Sequence, residues 1–465
     1  MSSEALKARL SKGVLAQALC QAVNFLVPVA TIPMLLSHWG AHTYGEWLVL
    51  YSIPTYLSMS DVGFATSAAH RMAMLVSGGD RKSALEVFQS THLAICMLSI
   101  FVFCLVALAL KFVSPAALLN FSSISGSESS TIVLILAGYS LIGLQGSLMY
   151  AGFFCEGNYG IGLMMNASTR LLEFLMMATV VLLGAGPIGA AIAVTVGRVC
   201  GSLGMTLVLR ATSPWLAIGF SKARYETLRR EFGASLAFTM FPLSNGINMQ
   251  GPILIIGTTL GAESVVAFNA VRTLTRMPLV VLRSLAGIVQ PEISAAFGRN
   301  DIRTLRGLHQ RSSQLALWIS ASAAVIMLAT GRTILRVWTR GAVKADWLLL
   351  GLLVAVTAVN GLWNSSLLVQ YATNRHQRLA FLYFAACVLI FPLGKPLATR
   401  FGTGGVACAL LITEGLMLLV AVPPALALSG DRVTSFLNEL LRPPFFVVHF
   451  ARERVRLARS ATRGQ

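Results

Sequence analysis

Twelve apolar runs, each long enough to cross a hydrocarbon layer of about 30 Å as a helix of roughly 20 residues, constrain this chain most. They lie at about 13–36, 46–70, 84–110, 131–154, 162–184, 187–210, 232–257, 264–297, 312–330, 346–371, 379–397 and 404–428. With 55% hydrophobic and 12% charged residues and a mean hydropathy of +0.72, a soluble fold is excluded. The expected fold is an all-α integral membrane protein of about 12 transmembrane helices. The first run carries Gln17, Gln21 and Asn24 and lacks a small-residue cleavage site, so it reads as a retained helix rather than a signal peptide.

The net charge of +18 would point to nucleic acid on a soluble chain; here its location decides. With the N-terminus inside, 24 of the 36 basic residues fall on one side of the membrane and 7 on the other. The positive-inside rule then places both termini in the cytoplasm. The basic segment 331–345 runs against this, being assigned outside. Seven cysteines lie singly in apolar runs with no CxxC, so neither a disulfide framework nor a metal site is expected. No GxxxxGK[ST] loop and no HExxH or Ser/His/Asp pattern occurs, and the chain is not read as an enzyme.

The two halves of the chain repeat. Gly40 and Asp80 recur as Gly261 and Asp301 at an offset of 221, within HWGAHTYGEW against TLGAESVVAF and GGDRKSALEVFQ against GRNDIRTLRGLHQ. Asn158 and Gly189 recur as Asn374 and Gly405 at an offset of 216. An even number of helices per half gives two six-helix lobes related by a pseudo-twofold axis along the membrane normal, enclosing a central cavity. The expected organisation is an N-terminal lobe over 1–210, a cytoplasmic linker over 211–231, a C-terminal lobe over 232–430 and a basic cytoplasmic tail over 431–465.

The eighth run holds Arg272, Arg276 and Arg283. On a continuous helix these fall within about 40° of one another, with Gln290 on the same stripe. A guanidinium at membrane depth costs about 2.5–3.5 kcal/mol on insertion scales, so that face must look into water, counter-charge or an anionic ligand. Two readings stay open: a wet crevice where the arginines bond backbone carbonyls, and an anion-binding wall. The repeat places Asp61 beside Arg283 in depth, either as a closing ion pair or as a gate or coupling site. Gln17, Gln21 and Asn24 form a polar stripe on the first helix, and Asn245 and Asn248 one on its repeat mate, the seventh. Each is either cavity lining or helix-to-helix glue. Arg170 and Glu173 at i, i+3 are expected to pair, with Glu173 a coupling candidate. Arg198 and Glu414 occupy equivalent repeat positions with opposite charge, and Glu414 is a proton-site candidate. FSSISGSESS (121–130) reads as a flexible outer loop. The tail after PFFVVHF reads as a polybasic segment, either on an anionic leaflet or solvated.

The phrase LLSHWGAHTYGEWLVLYSIPTYLSMSDVGFATSAAHRM followed by SGGDRKSA resembles the polysaccharide and O-antigen flippases of the multidrug/oligosaccharidyl-lipid/polysaccharide (MOP) exporter superfamily. Gly40, the Tyr44-Gly45 step, Ser60 to Phe64 and Gly79-Asp80 carry the likeness, which is closest over 11–92. The resemblance implies a multi-pass protein of a bacterial inner membrane. Such a protein moves an undecaprenyl-diphosphate-linked oligosaccharide to the periplasmic face, driven by H+ or Na+, with no cofactor. A polysaccharide polymerase and a chain-length regulator are the implied protein partners. Arg272, Arg276 and Arg283 match the cationic headgroup cavity by position. The alternatives are a cation-coupled multidrug exporter and a membrane polymerase or glycosyltransferase using the same lipid carrier.

Overall fold

The computed structural model describes residues 3–57, 63–344, 346–373 and 375–444. Asp61 and the basic tail beyond 444 lie outside the described residues, as does Asn374. The chain forms α1 (Ser3–Leu57), α2 (Phe64–Ser77), α3 (Arg81–Phe112), α4 (Pro115–Leu119), α5 (Gly126–Cys155), α6 (Tyr159–Leu182), α7 (Pro187–Thr212) and α8 (Tyr225–Thr259). It continues through α9 (Ala262–Thr275), α10 (Met277–Gly298), α11 (Ile302–Trp338), α12 (Trp347–Ala372), α13 (Gln377–Val388), α14 (Ile390–Ser429) and α15 (Val433–Leu441).

Among the described residues eight helical stretches are long and apolar enough to cross a membrane, nine with the bent α9–α10 pair; adding α8 and dividing the first and last stretches at their glycine breaks gives twelve helical passes. Two of the long apolar helices are each two crossings joined at a glycine. Gly40 (φ 73°, ψ 172°) turns α1 back on itself, and Gly402 (φ 59°, ψ −144°) does the same in α14. Only glycine enters these positive-φ wells without Cβ strain. The returning half of α1 continues into α2, α13 continues into the first half of α14, and α9 with α10 forms one crossing bent by 43°. The expected straight helix over 264–297 is therefore broken. Pro278 at the start of α10 cannot donate to the preceding turn, so the ladder ends at Thr275 and Arg276 sits in the joint.

The repeat read from short phrases is written in the backbone. Gly261 (φ 85°, ψ 171°) reproduces the conformation of Gly40. The turn before α3 donates Gly79 N–H to Val76 O and Asp80 N–H to Leu75 O; the turn before α11 donates Asn300 N–H to Phe297 O and Asp301 N–H to Ala296 O. In each, the aspartate then caps the next helix, accepting from Ser83 N–H and Thr304 N–H at 3.0 Å. These turns define one face of the protein, called here the aspartate face; the Gly40 and Gly261 turns define the opposite, glycine face.

α1–α7 pack as one lobe and α8–α14 as the other, and the lobes meet along α1 against α8 and α9 and along α2 against α8. Near the glycine face one hydrophobic cluster crosses both halves, joining Leu35, Trp47 and Leu50 to Ile256, Phe268 and Leu335. A Cβ on Gly45 would fall 2.0 Å from the Ala262 carbonyl oxygen, and one on Gly257 would fall 2.6 Å from Val49. The glycines thus let backbones touch where the lobes close. Pro33 frees the Val29 carbonyl within α1, and Trp338 of α11 takes it through Nε1 at 2.9 Å, tying the second lobe to the first.

The segment 121–125 is held rather than flexible. The buried Glu46 carboxylate accepts from the N–H groups of Ser122, Ser123 and Ile124 at 2.7–3.2 Å, and Ser125 with Glu128 closes a capping box on α5. The basic stretch 331–345 begins as the exposed end of α11, carrying Arg332 and Arg336, and turns at Arg340 (φ 52°) and Gly341 (φ 83°).

Candidate functional site: a cation-lined cavity between the lobes

Between the lobes lies a cavity of about 890 Å³. Buried Leu35, Tyr44 and Trp47 floor it toward the glycine face, whereas Ser147, Arg170 and Arg283 at its other end are exposed. The cavity therefore opens toward the aspartate face.

Its second-lobe wall is built by α8, α9 and α10. The two sequence readings of the arginines divide between residues. Arg272, 6% exposed, spends its guanidinium on backbone, donating to Met249 O at 2.8 Å, Asn248 O at 2.6 Å and Asn248 Oδ1 at 3.0 Å. The Asn248 carbonyl is available because Pro252, four residues on, lacks the N–H that would claim it. Arg276, at the α9–α10 joint, donates only to the Met249 sulfur at 3.0 Å, and Arg283 has no hydrogen bond or ion pair among the described residues. These two guanidiniums keep most of their donors for whatever enters the cavity.

Behind Arg272 the network runs through Asn248, whose Nδ2 donates to Glu414 Oε1 at 2.9 Å. Glu414, 1% exposed, also accepts from Asn360 Nδ2 at 2.9 Å and Trp363 Nε1 at 2.6 Å. Three N–H donors converge on this carboxylate, so both of its oxygens have hydrogen-bond partners although it is buried.

The first lobe supplies its own cluster. Arg198 of α7 meets Glu173 of α6 (Nε to Oε1, 2.7 Å), and Tyr139 of α5 donates to Glu173 Oε2 at 3.1 Å while accepting from Arg198 at 2.5 Å. The Arg198 guanidinium also stands 4.5 Å from the Tyr139 ring centroid, and Tyr51 donates to the Tyr139 hydroxyl at 3.3 Å. The expected Arg170–Glu173 pair is replaced: Glu173 takes Arg198 from the neighbouring helix, and Arg170 lines the cavity instead. At an offset of 221, Tyr51 corresponds to Arg272 and Tyr139 to Asn360; at 216, Arg198 corresponds to Glu414. The lobes thus hold equivalent polar hubs in which arginine at one position of the repeat is matched by glutamate at the other.

Of the residues singled out in the sequence, Gln21, Asn24, Glu173, Arg272, Arg276 and Arg283 line this one cavity, with Asn248 and Glu414 behind it. Gln17 instead accepts from Tyr159 at 3.2 Å, and Asn245 bonds the Phe241 carbonyl at 3.1 Å within its own helix. Gln290, seven residues beyond Arg283 on α10, is not among the residues that line the cavity. Tyr139, Tyr51 and Asn360 were missed, and Arg198 was noted only as the repeat partner of Glu414; the signal common to them was the repeat offset.

Solved structures share this architecture. The chain superposes on an inward-facing conformation of a multidrug resistance MATE family transporter of the MOP superfamily with a TM-score of 0.72, at 15% identity, over 88% of this chain and 95% of that one. An outward-facing conformation of such a transporter gives 0.64 at 15% identity over 91% and 96%. The fold is that of the MOP superfamily transporters. A further MOP superfamily transporter, from Pyrococcus furiosus, matches at 0.65 and 15% identity over 91% and 95%; it is described by a binding pocket of reversed polarity and a different function. No family model and no curated protein matches the sequence. The fold accounts for a multi-pass membrane protein with two lobes and a central cavity.

Proposed function

We propose that this protein is a flippase that carries a polyprenyl-diphosphate-linked oligosaccharide across a bacterial inner membrane by alternating access. The observation that carries the reading is the pair of uncommitted guanidiniums, Arg276 and Arg283, in a cavity also lined by Arg170 and Arg198. Guanidinium forks suit a diphosphate bidentately. The Glu173 carboxylate is already engaged by Arg198, so the free charge of the cavity is positive. A cationic drug would be repelled by such a wall, which disfavours the multidrug reading despite the shared fold.

The concentration of basic residues on the aspartate face supports a cytoplasmic orientation for that face and for both termini. The cavity then opens inward, in keeping with the better superposition on an inward-facing neighbour.

The test is translocation itself. Purified protein in proteoliposomes moves a fluorescent polyprenyl-diphosphate sugar into protection from a membrane-impermeant quencher, and Arg276→Ala abolishes the movement while the protein still inserts. Absence of protein-dependent translocation across a panel of sugars and imposed H+ and Na+ gradients would overturn the proposal.

A further inference from the structure

The central cavity has a branch that the arginine wall does not explain. Within the first lobe, α2, α5, α6 and α7 enclose a side chamber of about 320 Å³, which shares Gly143, Ser147 and Arg198 with the central cavity. That volume sits at the lower end of small-molecule sites. The walls are built from polar side chains, one or two from each helix: Thr66 and His70 on α2, Ser147 and Tyr150 on α5, Asn166 on α6 and Ser202 on α7. Thr66 and His70 are four residues apart, so both project from one face of α2.

Two features give this chamber a chemical identity. First, three of its hydrogen-bonding groups are unspent: Thr66, Asn166 and Ser202 have no side-chain partner among the described residues, and Thr66 and Asn166 are exposed. Second, among the described residues no carboxylate lines it, and the one arginine or lysine there, Arg198, is committed to Glu173 and Tyr139. What remains is hydroxyl and carboxamide beside aromatic edges, where the His70 ring meets Phe154 edge-on at 5.4 Å and Tyr150 meets Tyr159 at 6.2 Å. An acyl chain would leave these polar groups unpaired, and a diphosphate would find no free charge. A hydroxyl-rich sugar ring satisfies both conditions: its hydroxyls pair with the polar groups, and its apolar C–H face lies on the aromatic rings.

We infer that this chamber holds the glycan of the lipid-linked cargo while the diphosphate lies against Arg276 and Arg283. The inference rests on the flippase reading and adds a division of labour: the second lobe binds what all such lipids share, and the first lobe reads the sugar.

The experiment compares two probes on protein in nanodiscs: undecaprenyl diphosphate, and the undecaprenyl-linked oligosaccharide extracted from cells depleted of this protein. Wild type is expected to bind the glycan probe about tenfold more tightly, corresponding to one or two net hydrogen bonds. Thr66→Trp, which fills the chamber from an exposed position outside the central cavity, and Asn166→Ala are each expected to shrink that advantage to within about twofold. Both variants should bind undecaprenyl diphosphate as wild type does, which also verifies their folding, whereas Arg276→Ala should weaken both probes alike. A glycan probe with no advantage in wild type, or chamber variants that weaken both probes equally, would overturn the inference and leave the flippase reading standing. Failure of wild type to bind either probe would remove the flippase reading itself, and the glycan chamber with it.

Discussion

The closed glycine face depends on a contact that only glycine permits. In Gly45→Ala the new Cβ would fall 2.0 Å from the Ala262 oxygen and 2.4 Å from its carbonyl carbon. Carbon and its neighbours sit comfortably at about 3.5–4.0 Å, so α1 and α9 must part by roughly 1–1.5 Å. Both partners are backbone in packed helices, and no flexible side chain can give way. Overpacking of this kind costs about 1–3 kcal/mol. The cost applies only while the glycine face is closed, so the equilibrium shifts toward the state in which it opens by about 5- to 150-fold. The assay is labelling of a cysteine placed at Leu48, which lines the cavity, by an impermeant maleimide applied from the glycine face, in a background without the native thiols. Labelling should accelerate by that factor, and Gly251→Ala, whose Cβ would make only ordinary contacts at 3.6 Å or more, should leave it unchanged. Equal labelling in wild type and Gly45→Ala would refute the view that this backbone contact is the seal.

Glu173→Gln leaves the half-buried Arg198 without its counter-charge and should destabilise the protein by up to about 3–5 kcal/mol, read as a loss of thermal stability in detergent; adding Arg198→Gln should recover part of it. Glu46→Gln removes a charged acceptor from three N–H groups of 122–124, costing about 1–3 kcal/mol and raising hydrogen exchange in that segment while leaving α9 and α10 unaffected. Hydrogen bonds from Ser83 and Thr304 hold the Asp80 and Asp301 carboxyls below the usual aspartate range. Their caps therefore contribute above the ordinary value of about 3.9 and are lost as pH falls through the lower folded-state values. Exchange at the Ser83 and Thr304 amides, corrected for intrinsic rate, should stay protected at pH 5 and rise only well below pH 4.

The number of crossings and the two-lobe repeat were legible because both are periodic: apolar length fixes the first, and recurrent glycine and aspartate positions fix the second. Gly40 and Gly261 look unremarkable as letters, yet their spacing identified two copies of one turn with nearly identical dihedral angles. The cavity residues were legible in part, since Arg272, Arg276 and Arg283 are too costly in lipid to lie elsewhere. Their division into one structural and two available guanidiniums was not, because it depends on Pro252 freeing a carbonyl on another helix. Pro278 was visible, and a strict reading of its missing N–H would have broken the helix between Arg276 and Arg283. Glu173 choosing Arg198 over Arg170, and Glu46 fixing a serine-rich loop, are encounters across 25 and about 77 residues that local spacing does not encode.

Arg272 is bolted to the backbone of α8 and cannot leave with the cargo. On the proposed reading, the guanidiniums of the cavity return with the protein after each turn, and only the diphosphate's negative charge is discharged outside. Each elementary charge moved across a membrane polarised by 100 mV gains or loses about 2.3 kcal/mol. With the interior negative, two exported negative charges would gain roughly 4–5 kcal/mol per 100 mV, so the membrane voltage itself would pull the loaded carrier through its cycle, before any proton is counted.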